Sequence, residues 1–239
     1  MKNILTLFAL ALAICSAAFA KNHHISVEAE RPQVDTTEVD SLAKYTRLTD
    51  DDYRRVAEEL GVETATIKAV VEIEAGTTHK GFAAPGIPLI NFDATVFRRN
   101  LSRAGKSYTR HAQNPAFRSP DVRRHGSYGM AQWARLENAR TIDADIANAS
   151  AFWGMFQIGG FNWKKCGCAT INEFVDRMSE SEAAQLELFA QFCKKSNLVQ
   201  YLKTRNWSKF AYYYNGPSYR SRGYHTKLNS AYRKHSRSR

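Results

Sequence analysis

Residues 49–76 constrain the fold most, because they read as two helices with their punctuation in place. Thr49 followed by Asp50, Asp51 and Asp52 supplies an N-cap and first-turn acids. Tyr53, Val56, Ala57 and Leu60 then recur at helical spacing, and Gly61 offers the stop. The second segment, about residues 64–75, carries the apolar stripe Ile67, Val70, Val71 and ends at Gly76. The next position on that stripe, seven residues after Ile67, is Glu74 rather than a hydrophobe. Glu72, two residues earlier, falls about 200° around the axis and faces elsewhere. Either Glu74 sits at a frayed end and reaches water, or it is held against hydrophobic neighbours. In the second case its charged form is disfavoured, so it stays protonated near neutrality and can serve as a general acid.

The rest of the chain reads as mainly α. Gly81 to Pro88 is turn-rich, Leu89 to Phe92 is short and apolar, and a helix is expected from Asp93 through Arg103. Residues 104–129, rich in Gly, Pro, Ser and Asn, read as one long loop, and a loop of that length usually has a functional reason. A continuous helix is expected over about 130–148. Residues 151–161 are too dense in glycine for a regular helix and predict a turn or short hairpin. Further helices are expected near 171–178, 181–195, 197–204, 207–214 and 224–234. Trp133, Trp163 and Trp207 default to the core, Tyr212 and Tyr213 to helix packing and surface. Glu180 and Glu182, at a helix start, are accounted for by capping and the helix dipole.

With 44% hydrophobic and 24% charged residues in 239, the chain is neither collagen-like nor wholly disordered. Residues 1–20 read as an export signal: Lys2, the apolar stretch Ile4 to Ile14, and the A-x-A pattern Ala18-Phe19-Ala20. The expected location is therefore periplasmic or extracellular. Residues 21–47 hold few large apolar side chains and read as a flexible leader, with one domain over 48–239 ending in a basic tail. The net charge of +11 predicts an anionic partner. It is concentrated in two places: residues 97–125 hold eight Lys or Arg against one acid, and residues 217–239 hold seven against none. The last residues, His235 to Arg239, are expected to fray. Export argues against a nucleic-acid partner, and no ordered aromatic platform interleaved with basic residues is evident. No stable membrane insertion is expected, and the domain is expected to be a monomer.

Several chemistries have no motif here: no phosphate-binding glycine loop, no H-E-x-x-H, no G-x-S-x-G. The histidines have no metal spacing, and neither a metal nor another cofactor is expected. Setting aside Cys15, the cysteines Cys166, Cys168 and Cys193 allow one disulfide to Cys193 plus a free thiol, or three small buried residues with no bond.

Five blocks carry a resemblance. AVVEIEAG (69–76), LINFDATVF (89–97), SAFWGMFQIGGFN (150–162) with the Cys166-Gly167 that follows, ESEAAQLELFAQF (180–192) and YNGPSYRSRGYHTKLNSAY (214–232) occur in the same order as in the N-acetylmuramidase family of phage endolysins and bacterial cell-wall hydrolases. The chain resembles that family over about residues 48–233. The resemblance implies an α-rich, lysozyme-like single domain of the mainly α (α+β) class, with a small β-hairpin or turn element beside the cleft. It implies peptidoglycan glycan strands as substrate and Glu74 as the catalytic acid, the same residue that breaks the apolar stripe. The family usually has Glu-Ser at this point; Glu74-Ala75 lacks the hydroxyl and keeps the carboxylate. It commonly has Phe-Glu where this chain has Phe92-Asp93, so Asp93 is a candidate for positioning water or supporting Glu74. By the same resemblance Phe156 and Gln157 are candidates for contacting substrate; Gln157 resembles a cleft-lining amide, the alternative being that it satisfies turn backbone. Tyr214 and Asn215 resemble a cleft-wall pair. Hydrolysis of the muramic acid linkage is the first reading. A lytic transglycosylase on the same bond and a non-catalytic wall-glycan binder are the alternatives.

Overall fold

The computed structural model describes residues 47–75 and 81–237. The signal with Cys15, the leader up to residue 46, residues 76–80 and the last two residues lie outside them. Helix α1 (Asp50–Leu60) opens on a reciprocal cap: the Asp52 amide donates to Thr49 Oγ1 at 3.2 Å and the Thr49 amide to Asp52 Oδ2 at 2.9 Å. It closes on Gly61, whose φ of 62° is the left-handed conformation a glycine adopts at least cost. Helix α2 (Thr64–Glu74) buries Ile67, Val70, Val71 and also Glu74. Each of those three aliphatic side chains contributes about 2 kcal/mol by leaving water.

Beyond α2 the chain forms a small hairpin, β1 (Phe82–Ala84) with β2 (Ile87–Pro88), then β3 (Ile90–Phe92). Strand β3 is the edge of a three-stranded antiparallel sheet completed by β4 (Ala151–Trp153) and β5 (Ile158–Gly159). The pairings Ile90 with Trp153 and Phe92 with Ala151 fix the register. The expected hairpin within 151–161 is therefore present, joined to a distant strand.

Helix α3 (Ala94–Arg103) follows β3. The segment after it is more structured than a loop. It contains 3-10 turns at Tyr108–His111 and Pro115–Phe117 and a short helix, α4 (Val122–His125). Phe117 anchors it by stacking on Phe97, with ring centres 5.7 Å apart, while Arg135 donates to the Ala116 carbonyl. The single helix expected over 130–148 is two: α5 (Tyr128–Arg140) and α6 (Ala144–Ala149). The break comes from Asp143, whose carboxylate accepts from the Ile146 amide and starts a new helix.

Five more helices complete the domain: α7 (Ile171–Glu180), α8 (Glu182–Lys195), α9 (Val199–Lys203), α10 (Trp207–Asn215) and α11 (Tyr224–Arg237). Helix α8 runs through the core, with Leu186, Leu188, Phe189, Ala190 and Cys193 all buried. Helix α11 packs across α2 and does not fray where expected. His235 Nε2 lies 2.8 Å from Glu72 Oε2 and Lys234 Nζ lies 2.9 Å from the same atom. Cys166, Cys168 and Cys193 are buried and form no disulfide. Among the described residues no helix is long and apolar enough to cross a membrane.

Candidate active site

Glu74 is the last residue of α2 and is 5% exposed. The apolar stripe that carries it inward also strips it of water, and burial pushes its carboxyl up to about 7. One side chain opposes that shift. Asn215 Nδ2 stands 3.1 Å from Oε1 and 3.0 Å from Oε2, and its donation favours the charged form. Tyr214, Tyr224 and Cys193 lie near enough for the Glu74 charge to raise their own pKa values further. Glu72 points the other way, into its pairing with Lys234 and His235.

Asn215 ends α10, and the chain leaves it through Gly216 at φ 87°. That positive φ favours glycine and lets the backbone turn away directly after the amide side chain has been aimed at α2. Asn215 is 7% exposed, and its Oδ1 is buried with no partner among the described residues. Such an acceptor is costly unless a water or ligand donor fills it.

The other expected site residues are spread over three environments. Tyr214 is buried and donates its hydroxyl to the Phe156 carbonyl at 2.9 Å, tying α10 to the β4–β5 turn. Phe156, a candidate for contacting substrate, faces the core. It is buried and stacks on Phe189 with centres 4.4 Å apart, because the turn that carries it folds back onto α8. Gln157 is half-buried at φ 48°, and its Nε2 donates to the Gly154 carbonyl at 2.8 Å, so the amide satisfies its own turn. Asp93 is the N-cap of α3, accepting from the amides of Thr95 at 2.8 Å and Val96 at 3.0 Å. Its charge is felt by Arg135, and no hydrogen bond joins it to Glu74. The shorter side chain serves the helix end.

Two residues that hold the site together were given no site role by the sequence. Glu182, expected to complement a helix dipole, is buried and accepts from the Gly81 amide at 2.9 Å. Gln185 accepts from the Met155 amide at 2.9 Å and donates to the carbonyls of Gly81 at 3.2 Å and Met178 at 2.9 Å. These bonds clamp both the start of the hairpin and the β4–β5 turn to α8. A Cβ at Gly81 or Gly154 would meet Gln185 Oε1 at 2.5 or 2.6 Å, which is why both positions are glycine. The available signal was the one that marked Glu74, a polar residue on an otherwise apolar helix face.

Among the described residues no group of three or more His, Cys, Asp or Glu side chains is placed to hold a metal. The arrangement is that of a proton donor and its hydrogen-bonding partner, suited to general acid chemistry.

A family model described as N-acetylmuramidase matches residues 63–236. Among solved structures, the crystal structure of Burkholderia AP3 phage endolysin is 37% identical, with a TM-score of 0.70 over 81% of this chain and 73% of that one. None of the curated proteins matches.

Proposed function

The chain belongs to the N-acetylmuramidase family and is a glycoside hydrolase of the lysozyme-like type, and on that premise we propose that Glu74 is the general acid that cleaves peptidoglycan between N-acetylmuramic acid and N-acetylglucosamine. Protonated Glu74 gives its proton to the leaving glycosidic oxygen of the β-1,4 bond while water attacks the sugar carbon that becomes cation-like. The carboxylate left behind is the form that Asn215 Nδ2 favours through both oxygens. Asn215 thereby eases proton departure without ionising the acid prematurely.

The observation that carries this reading is a buried helix-end carboxyl raised to about 7 and bonded to the amide of a helix from the other end of the chain. The same physics keeps the catalytic glutamic acid of lysozyme neutral, in an apolar pocket that disfavours its charge. The protein would act on the wall outside the cytoplasmic membrane, where the N-terminal export pattern would deliver it.

Mass spectrometry of fragments released from purified peptidoglycan tests the proposal. Reducing sugar ends are expected, and Glu74→Gln should release almost none. Anhydro-sugar ends would instead mean that the sugar's own hydroxyl attacks, and clearing by Glu74→Gln at the parent rate would remove Glu74 from the mechanism.

A further inference from the structure

From Ser196 to Arg239 the sequence holds ten Lys or Arg and no Asp or Glu. Within that stretch five rings touch in succession. Tyr201 stacks on Tyr213 with centres 5.4 Å apart and planes 8° apart, and Tyr213 meets Tyr212 edge-on at 5.1 Å. Tyr212 meets Tyr219 at 6.2 Å, and Tyr219 meets His225 at 5.5 Å. Tyr212 and Tyr213 are 41% and 52% exposed, so the middle of this arc is open to solvent. Its flanks are cationic: Lys209 Nζ lies 5.8 Å from the Tyr201 ring centre, and the Arg220 guanidinium lies 5.8 Å from that of Tyr219. Arg205, Lys234 and His235 are paired with Glu63 and Glu72 of the α2 region, whereas Lys203, Lys209, Arg220, Arg222 and Lys227 enter no ion pair among the described residues. An aromatic platform with basic flanks is thus present although the sequence did not reveal it.

The arc is continuous with the candidate site. Tyr212 lies one helical turn before Asn215 on the same face of α10, and Tyr219 follows directly after the Gly216 turn. We propose that this arc is an accessory site that grips a peptidoglycan strand outside the cleft, the tyrosine rings packing on pyranose faces and the flanking cations meeting the free carboxylates of the stem peptides. Tyrosine suits such a ligand because its ring covers C–H faces while its hydroxyl meets water or sugar hydroxyls. The unpaired cations supply complementarity to an anionic polymer. Ring orientation favours a glycan over a single-stranded nucleic acid. Stacked bases need successive parallel faces, whereas the Tyr212 and Tyr213 planes stand 82° apart and follow a chain that twists between residues.

The identity of the ligand rests on the muramidase reading, so the test separates the two. Retention on purified peptidoglycan sacculi is measured by co-sedimentation in a Glu74→Gln background, with and without Tyr212→Ser plus Tyr213→Ser. Both side chains are exposed, and a thermal melt checks that the fold is kept. The expected result is a Kd on sacculi raised about tenfold at an unchanged melting temperature. In active protein, the double variant should lose about fivefold more rate on sacculi than on a soluble tetrasaccharide-peptide. Equal retention of the two proteins overturns the arc while leaving the proposed reaction intact. A larger loss of binding to single-stranded DNA than to sacculi also overturns it. If the parent cuts neither substrate but is held on sacculi through the tyrosines, the arc stands and the reaction falls.

Discussion

The two oxygens of Glu74 are both bonded to one nitrogen, Asn215 Nδ2, contributed from 141 positions away. Helix α11, packed against both α2 and α10, brings the C-terminal ends of those two helices together. The contact has opposite consequences for the two forms of the acid: burial favours the protonated form, and Asn215 favours the charged one. Activity and stability should both record that balance.

Stability should depend on Glu74 over a defined pH range. The folded-state pKa of about 7 stands above the ordinary value of 4.5, so the folded protein binds this proton more tightly than the unfolded chain. The resulting stabilisation is complete below 4.5 and is lost as pH rises through about 7, a contribution of about 3 kcal/mol. Glu74→Gln should remove this component, leaving the variant more stable than the parent at pH 8 and nearly level with it at pH 4.5. Urea midpoints at the two values check this. The same substitution should cost about 10²- to 10⁴-fold in wall-cleaving rate, the usual scale for losing a general acid.

Asn215→Ala should move the pH profile. Its donation lowers the Glu74 pKa, so removing it should raise the alkaline limb of kcat/KM by about one pH unit. The rate should fall at the same time, because the departing carboxylate loses its donor. A rate loss with no movement of the alkaline limb would mean that Asn215 acts on substrate alone.

The sequence made the helices legible wherever a local signal existed. Thr49 and Gly61 are caps that act within one turn, and the structure uses both as caps. Glu74 was legible because it broke a stripe. Asp143 was missed as a helix start because its neighbours Ala144, Ile146 and Ala147 fit an uninterrupted helix equally well. The surroundings of Phe156 and Gln157 were not legible, because a ring or amide in a glycine-rich turn looks the same whether it faces sugar or core. The packing of Phe156 on Phe189 and the return of Gln157 to Gly154 are tertiary and turn contacts that the residue types do not announce. The bonds from Asn215 to Glu74 and from Gln185 to Gly81 join elements more than 100 positions apart, and no local periodicity encodes them.

Gln185→Leu should be among the more damaging single changes in the domain. It preserves approximate volume but leaves the buried Met155 amide without its acceptor and takes one donor each from the carbonyls of Met178 and Gly81, the latter keeping the Leu89 amide. The expected cost is about 2–4 kcal/mol, read as a lower urea midpoint at an unchanged m value. The β4–β5 turn and the hairpin start should also loosen, so kcat/KM on wall fragments should fall at temperatures where the variant remains folded. A midpoint within experimental error of the parent would show that this clamp is dispensable.

The cysteines offer a check on the core behind Glu74. Burial pushes the Cys166 thiol up to about 12 and raises Cys193 well above its ordinary value, with the neighbouring Glu74 charge adding to the latter. At neutral pH the reactive thiolate is therefore scarce, by about 10³-fold for Cys166 relative to a free cysteine. Alkylation at pH 7.5 followed by peptide mapping should find Cys166 and Cys193 unlabelled in the native protein and fully labelled after unfolding in urea. Cys168, 6% exposed where Cys166 and Cys193 are fully buried, should label first. Rapid native labelling of Cys193 would mean that α8 opens beside the acid, and the raised pKa of Glu74 should then fall with it, because both depend on the exclusion of water from the same space.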